Sequence, residues 1–200
     1  MWSFVALVAL LWPAPAHAHL VTTGLGPIYD GLAHFALTPE DLIPTLALSL
    51  FAGLRGAPQS RRVLFVLPSV WLFCGLVGLA MPNATSALPI TTTLAPSISF
   101  VLVGALLASD ARLPLAATTA IAATLGALHG YLNGTAMAQA GLSITAVLGI
   151  TTAVFTLVAL ASSTVVPLRT TWSRLAIRIA GSWIAAIGLL LIGWSLRSTS

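Results

Sequence analysis

Length, composition and charge already exclude most kinds of protein for this chain of 200 residues. Apolar residues make up 58% of the chain and charged residues only 6%, whereas a soluble domain carries roughly 25% charged residues. The eight basic and four acidic side chains are too few to cover a globule of 20.6 kDa in water, which excludes a soluble enzyme, a disordered chain and a nucleic-acid-binding protein.

The first 18 residues have the layout of a cleaved signal peptide. The apolar run Trp2–Trp12 is too short to span a bilayer, and Ala16-His17-Ala18 fits the small-x-small pattern of a cleavage site. No basic residue precedes the apolar run, so an uncleaved N-terminal helix is the alternative. Cleavage after Ala18 would make His19 the N-terminal residue, and its α-amine and imidazole could chelate a divalent metal. The alternative for His19 is a tail with no metal role.

Six apolar segments follow, and they predict an all-α, polytopic membrane protein, because a spanning helix needs about 20 apolar residues. The start of the first and shortest segment is marked by Thr38-Pro39-Glu40-Asp41, a cap residue followed by a proline and two acids. We predict a periplasmic segment over residues 19–38 and about six transmembrane helices over residues 39–200. The six segments are Leu42–Leu54, Val63–Met81, Leu88–Ala108, Leu113–Leu132, Leu142–Val166 and Leu175–Leu196.

Arginine placement predicts the orientation of these spans. With six spans, every arginine except Arg197 falls on one side of the membrane. The positive-inside rule puts that side in the cytoplasm. The mature N-terminus then lies in the periplasm, as signal cleavage requires, and we expect a multi-pass protein of a bacterial inner membrane.

Glycines predict close contacts between the helices. Gly126, Gly130 and Gly134 recur at four-residue spacing and share one helical face. A stripe of this kind lets another helix approach closely, either within one chain or between two chains.

Polar residues are costly in a membrane, so the few that occur mark candidate sites. Asp30 and His34 share a helical face if their segment is helical, and His129 and Asn133 have the same four-residue spacing. All four fall towards the outer side and could form one site for nickel, cobalt or zinc. The structural alternatives are an interfacial ion pair for the first two residues and interhelical hydrogen bonding for the others.

Other polar groups predict less chemistry. We interpret Glu40 and Asp41 as helix-start acids, with a cation-collecting mouth as the alternative. Cys74 lies among apolar residues and is interpreted as inert packing. No nucleophile elbow, zinc-protease helix or phosphate-binding loop is present in the sequence, so we predict no catalytic residues and no enzyme.

Two stretches of the sequence resemble one known family. The stretch Gly24-Leu-Gly-Pro-Ile-Tyr-Asp30-Gly-Leu-Ala-His34, with Pro39–Pro44 and Ala52–Gly56 after it, resembles the HupE/UreJ group, the membrane accessory proteins of hydrogenase and urease gene clusters. The stretch His129-Gly-Tyr-Leu-Asn133-Gly-Thr-Ala-Met137 is similar to that family's second motif, His-Gly-x-Ala-His-Gly-x-Glu-Met. The likeness in layout covers most of the mature chain.

The resemblance implies a nickel permease, with cobalt as a further substrate of some members, and metal-binding roles for Asp30, His34 and His129. The chain departs from the family pattern at Asn133, where the family has its second histidine, and at Ala136, where it has glutamate. In the family's first motif an aspartate and a histidine are adjacent, whereas here three residues separate them. The chain therefore looks like a divergent branch.

Three functions follow as hypotheses. The first is a permease that collects a divalent ion at the outer face and passes it inward near His129, assisting metalloenzyme maturation together with maturation proteins. The second is a non-transporting membrane protein for metal binding or assembly. The third, a membrane metal hydrolase, lacks a separate general base. In each case the metal is a substrate or ligand, and no tightly bound cofactor is expected.

Overall fold

The computed structural model describes residues 23–82, 89–168 and 170–197. The predicted signal peptide and His19 lie outside these residues. Within them the chain is all-helical, which confirms the predicted fold class, and no strand occurs in this part of the chain. The helices are α1 (Pro27–Leu37), α2 (Pro39–Arg55), α3 (Ala57–Ala80), α4 (Pro89–Ser109), α5 (Leu115–Gln139), α6 (Ile144–Val165) and α7 (Thr171–Arg197).

Four of the helices are long and apolar enough to cross a membrane, namely α3, α5, α6 and α7. The consecutive helices α1 and α2 meet the same criterion only as a pair and would make a fifth span. Helix α4 contributes the shorter apolar stretch Leu94–Ser109. By length and composition the described residues therefore form four to five spans, and the count of six stays a prediction.

A sharp bend separates α1 from α2, because the two helices meet at an angle of 73°. Pro39 lacks a backbone N–H and disfavours the helical conformation of the residue before it, so Thr38 is extended at φ −100° and ψ 96°. The Thr38 hydroxyl does not cap α2 as its position predicted. It donates instead to the His34 carbonyl at 2.6 Å and closes the end of α1.

Helix α1 lies directly against the beginning of α6. A Cβ atom placed on Gly31 would come within 2.1 Å of the Ala146 carbonyl oxygen, and one on Gly149 within 2.2 Å of the Ile28 oxygen. Only glycine permits such an approach of two backbones. The predicted periplasmic segment over residues 19–38 therefore includes a helix that packs against the bundle.

The glycine stripe of α5 faces α3. A Cβ atom on Gly126, Gly130 or Gly134 would meet carbonyl oxygens of α3 at 2.8, 2.4 and 2.0 Å. The three glycines thus bring the backbones of α3 and α5 into contact within the chain. Large apolar side chains fill the neighbouring space, with Trp71, Phe51 and Phe35 at most 2% exposed.

The helix ends that carry arginine meet at one end of the bundle. Asp110, which follows α4, pairs with Arg55 at the end of α2 and lies 3.5 Å from Arg174 at the start of α7. Gln59 of α3 donates to the Leu113 carbonyl at 3.0 Å. These contacts fit the predicted alternation of helix directions, and we refer to this part of the molecule as the arginine end.

Candidate functional site

The bend between α1 and α2 places an acid inside the protein. Asp41 lies in the first turn of α2, only three residues after the bend at Thr38, and is 4% exposed. Its Oδ1 and Oδ2 atoms both accept hydrogen bonds from α5, as described below. A carboxylate in the first turn of a helix is also favoured by the helix dipole. Local structure and tertiary contacts therefore both fix the position of the Asp41 carboxyl group.

His129 and Asn133 supply the donors. His129 Nδ1 lies 2.7 Å from Asp41 Oδ1, and Asn133 Nδ2 donates to Asp41 Oδ2 at 2.9 Å. Because the two residues are one helical turn apart on α5, they face the carboxylate together. His129 is 1% exposed and Asn133 is 5% exposed. We call Asp41, His129 and Asn133 the buried triad.

Side chains from three further helices hold the imidazole in place. Ser99 of α4 lies 3.1 Å from His129 Nε2, and its hydroxyl also reaches the Pro96 carbonyl at 2.5 Å. Trp71 of α3 stacks on the imidazole with ring centroids 5.5 Å apart. Phe35 of α1 meets the edge of the same indole at 5.9 Å. The ring of His129 is therefore restrained on both nitrogens and on one face.

The triad lies well inside the apolar part of the bundle. His129, Ser99 and Trp71 each lie near the middle of their helices rather than at an end. Fourteen residues of α2 separate Asp41 from Arg55 at the arginine end, a distance of about 21 Å along the helix. An interruption of a membrane helix at a buried polar group is a common layout for ion and substrate sites.

Within the described part of the chain, three buried polar atoms at or near the triad have no hydrogen-bond partner: Asn133 Oδ1, Thr45 Oγ1 and Trp71 Nε1. Thr45 lies one turn beyond Asp41 on the same face of α2. Unpaired buried polar groups are uncommon in folded proteins and each needs a reason. Two of these atoms are oxygens. They are possible ligands of a cation, in addition to the carboxylate oxygens and the imidazole nitrogen.

The residues predicted for a metal site are placed in two groups. His129 and Asn133 lie together, but their acid is Asp41. Asp30 is 6% exposed and accepts hydrogen bonds from the Thr23 backbone N–H at 2.6 Å and from its hydroxyl at 2.7 Å. It therefore ties down the start of α1, in keeping with an acid in a first helical turn.

The remaining predicted histidine, His34, is partly buried and lies within the electrostatic reach of Asp41. Across the described residues, no group of three or more histidine, cysteine, aspartate or glutamate side chains could hold a metal ion. The arrangement is thus one acid and one imidazole, completed by an amide and hydroxyls.

Asp41 is the functional candidate that the sequence interpretation missed. The sequence favours a helix-start acid at this position, with a cation-collecting mouth as the alternative, and neither interpretation includes the contacts of Asp41 with α5. A signal was present, because Asp41, Thr45 and Ser49 recur every four residues in an otherwise apolar helix. The three residues are 4%, 0% and 0% exposed, so they form a buried polar stripe.

Comparison with known proteins gives one match. The family model described as HupE / UreJ protein matches residues 5–191, which is most of the chain. No curated protein and no solved structure gives a significant match. The family consists of accessory or transport membrane proteins, in agreement with helices that are able to cross a membrane. This chain belongs to the HupE/UreJ family.

Proposed function

We propose that this protein is a permease for a divalent transition-metal ion, nickel first, with cobalt and zinc as alternatives, and that the buried triad is its transport site. The observation that carries the proposal is an aspartate and a histidine, 4% and 1% exposed, that pair at the break of a membrane helix. An ionisable residue inside a membrane bundle is a functional candidate by default. Membership of a family of transport and accessory proteins supports the same reading.

The chemistry of the triad suits such an ion. Nickel, cobalt and zinc accept imidazole nitrogen together with carboxylate oxygen. A cation bound between Asp41 and His129 takes the place of the hydrogen on Nδ1, because a ligating nitrogen must be free of its proton. Asn133 Oδ1 belongs to the triad and Thr45 lies one turn along α2 from Asp41, and both are buried oxygens without a hydrogen-bond partner among the described residues.

The path that we propose for the ion follows the polar side chains of α2. Below Asp41, the stripe of Thr45 and Ser49 continues towards the arginine end, and Ser162 of α6 donates to the Ser49 carbonyl at 3.2 Å. The membrane potential would drive the ion along this path. A doubly charged ion gains about 4.6 kcal/mol per 100 mV, twice the value for one charge.

A second candidate function is metal binding or assembly without transport, as an accessory to metalloenzyme maturation proteins. It is favoured by the completeness of the Asp41 hydrogen bonds, since both carboxylate oxygens have partners within the protein. A carboxylate held in this way must give up at least one bond for each ion that passes.

Uptake in cells tests the proposal. Cell-associated nickel, cobalt and zinc are measured after short exposures, with the wild type, Asp41→Asn and His129→Ala at matched membrane levels. Glu40→Gln is the matched control, because Glu40 is the neighbouring acid of the same helical turn and is exposed. Asp30→Asn tests the alternative acid that the sequence had suggested.

Loss of uptake in Asp41→Asn and His129→Ala, with uptake retained in Glu40→Gln and Asp30→Asn, supports a permease that uses the triad. Metal retained by the purified wild type but not by His129→Ala, without uptake, supports the accessory role. Uptake that survives both triad substitutions refutes the transport site.

A further inference from the structure

A groove runs along the outside of the bundle between α3 and α6. Its first stretch, about 370 Å³, begins at the arginine end, where Arg61 and Ser60 face Ala159 across the groove. The second stretch, about 320 Å³, continues towards the middle of the two helices, between Phe65 and Phe155. Leu64 lines both stretches, so they adjoin. The groove is separate from the buried triad.

The two stretches differ in polarity. At the arginine end the groove offers the exposed guanidinium of Arg61. Ser60 lies beside it and is 7% exposed. Its hydroxyl is buried and has no hydrogen-bond partner among the described residues. No acidic side chain lines either stretch among the described residues. This end is therefore complementary to an anion.

The inner stretch is an apolar surface. Phe65, Leu148 and Phe155 are 62%, 41% and 42% exposed. Thr151 and Thr152 also line it, but their hydroxyls donate to the Val147 and Leu148 carbonyls of their own helix. The hydroxyls of Thr151 and Thr152 are thereby satisfied, and a hydrocarbon chain can lie against them without leaving these two groups unpaired.

We propose that this groove binds an anionic phospholipid. Its phosphate lies at Arg61 and Ser60, and one acyl chain lies along the inner stretch between α3 and α6. A guanidinium forms charge-assisted hydrogen bonds to phosphate oxygens, and basic sites between membrane helices at the cytoplasmic face are a known setting for anionic headgroups. The unpartnered Ser60 hydroxyl gains an acceptor at the same place.

Lipid retention on the purified, full-length protein is the test. The protein, held in a neutral detergent, is mixed with phosphatidylglycerol or phosphatidylcholine of identical acyl chains, and the bound lipid is counted by native mass spectrometry. We expect phosphatidylglycerol to bind in preference. Arg61→Ala lowers its affinity about five- to tenfold, and Ser60→Ala lowers it by less. Ala159→Phe fills the groove without changing any charged residue, and we expect it to abolish lipid binding.

Arg62→Ala is the matched control. Arg62 is the next residue, carries the same charge and is exposed, but it lines neither stretch of this groove. It lines a neighbouring groove, which Arg61 and Phe65 also border. An equal loss for Arg61→Ala and Arg62→Ala would refute the site, and so would equal binding of the two lipids. A dimer that Ala159→Phe abolishes would show that a second copy fills the groove, which also refutes it. Arg61→Ala and Ser60→Ala keep the test valid if Ala159→Phe fails to fold.

Discussion

At the scale of single residues, Asp41 and His129 depend on each other. Each is almost completely buried, and their side chains meet at 2.7 Å. Removal of one partner leaves the other buried with only Asn133 or Ser99 as a hydrogen-bond partner. Breaking a buried pair typically costs about 3–5 kcal/mol, whereas replacing both members with apolar residues is often close to neutral. We therefore expect the effects of substitutions at Asp41 and His129 on the free energy of unfolding to be strongly non-additive.

We predict that His129→Leu lowers the free energy of unfolding by about 3–5 kcal/mol. The double variant Asp41→Leu/His129→Leu should be more stable than His129→Leu alone, because no buried charge is left unpaired. Equilibrium unfolding in mixed micelles, followed by circular dichroism, measures the four corners of the double-mutant cycle. Additive losses from the two substitutions would contradict the pairing.

Trp71 gives a second prediction for a single residue. Its ring stacks on His129, is 0% exposed, and carries an Nε1 atom without a partner. Trp71→Phe keeps an aromatic face and removes the unpaired N–H, so we expect a loss of no more than about 1.5 kcal/mol. Trp71→Ala should cost about 3–5 kcal/mol, because it leaves a cavity. Thermal unfolding in detergent compares them, and equal losses would show that the N–H has a partner.

The sequence predicted part of this site, and the missing part has a physical reason. His129 and Asn133 are close along one helix, so their common face follows from helical spacing. Asp41 is 88 residues away from His129, and only the packing of α2 against α5 brings them together. Among the four acids of the chain, local spacing favoured Asp30 as the acid of the metal site. In the structure, the Asp30 carboxylate instead accepts hydrogen bonds from Thr23.

At the scale of helices, proline and glycine positions predicted more than hydropathy did. The start of α2 at Pro39 was expected from the residues around it, and α2 begins there. The sequence alone makes a helix around Asp30 and His34 a condition rather than a prediction, and the structure has the 11-residue helix α1 there. It is stabilised by contact with α6, which no local pattern reveals.

The contact between α3 and α5 gives a prediction with a built-in control. Gly→Ala inside a helix normally stabilises by roughly 0.5–1 kcal/mol. At Gly134 the added Cβ would lie 2.0 Å from the Gly75 carbonyl oxygen, so Gly134→Ala should instead destabilise and separate the two helices. At Gly193 of α7 nothing lies within 4 Å, so Gly193→Ala should be neutral or slightly stabilising.

Both glycine variants are compared by thermal unfolding in the same detergent, together with disulfide cross-linking between cysteines placed on α3 and α5. The cross-link should form less readily in Gly134→Ala than in Gly193→Ala. Equal stability of the two variants would contradict a contact of two backbones at Gly134.

At the scale of the whole molecule, the arrangement of charge predicts the orientation in the membrane. Asp110 forms ion pairs with Arg55 and Arg174, which lie at the ends of two other helices. The arginine end is therefore one compact region. Helix α5 starts at that end and has 25 residues, about 37 Å, which is enough to cross a bilayer. The loop after α5 must then lie on the opposite face, and α6 returns the chain to the arginine end.

Cysteine accessibility tests this orientation. Single cysteines are introduced into a Cys74→Ala background. One replaces Ala140, just after α5, and the other replaces Thr171, at the start of α7; both positions are exposed. Positively charged ends are retained in the cytoplasm. We therefore expect Ala140→Cys to react with a membrane-impermeant maleimide in intact spheroplasts, and Thr171→Cys to react only after permeabilisation. Since one crossing by α6 separates the two positions, labelling of both from the same side would refute that crossing. The reverse pattern would keep the fold but place the Asp41 end of α2 nearer the cytoplasm, so that an entering ion would meet the arginine end before the triad.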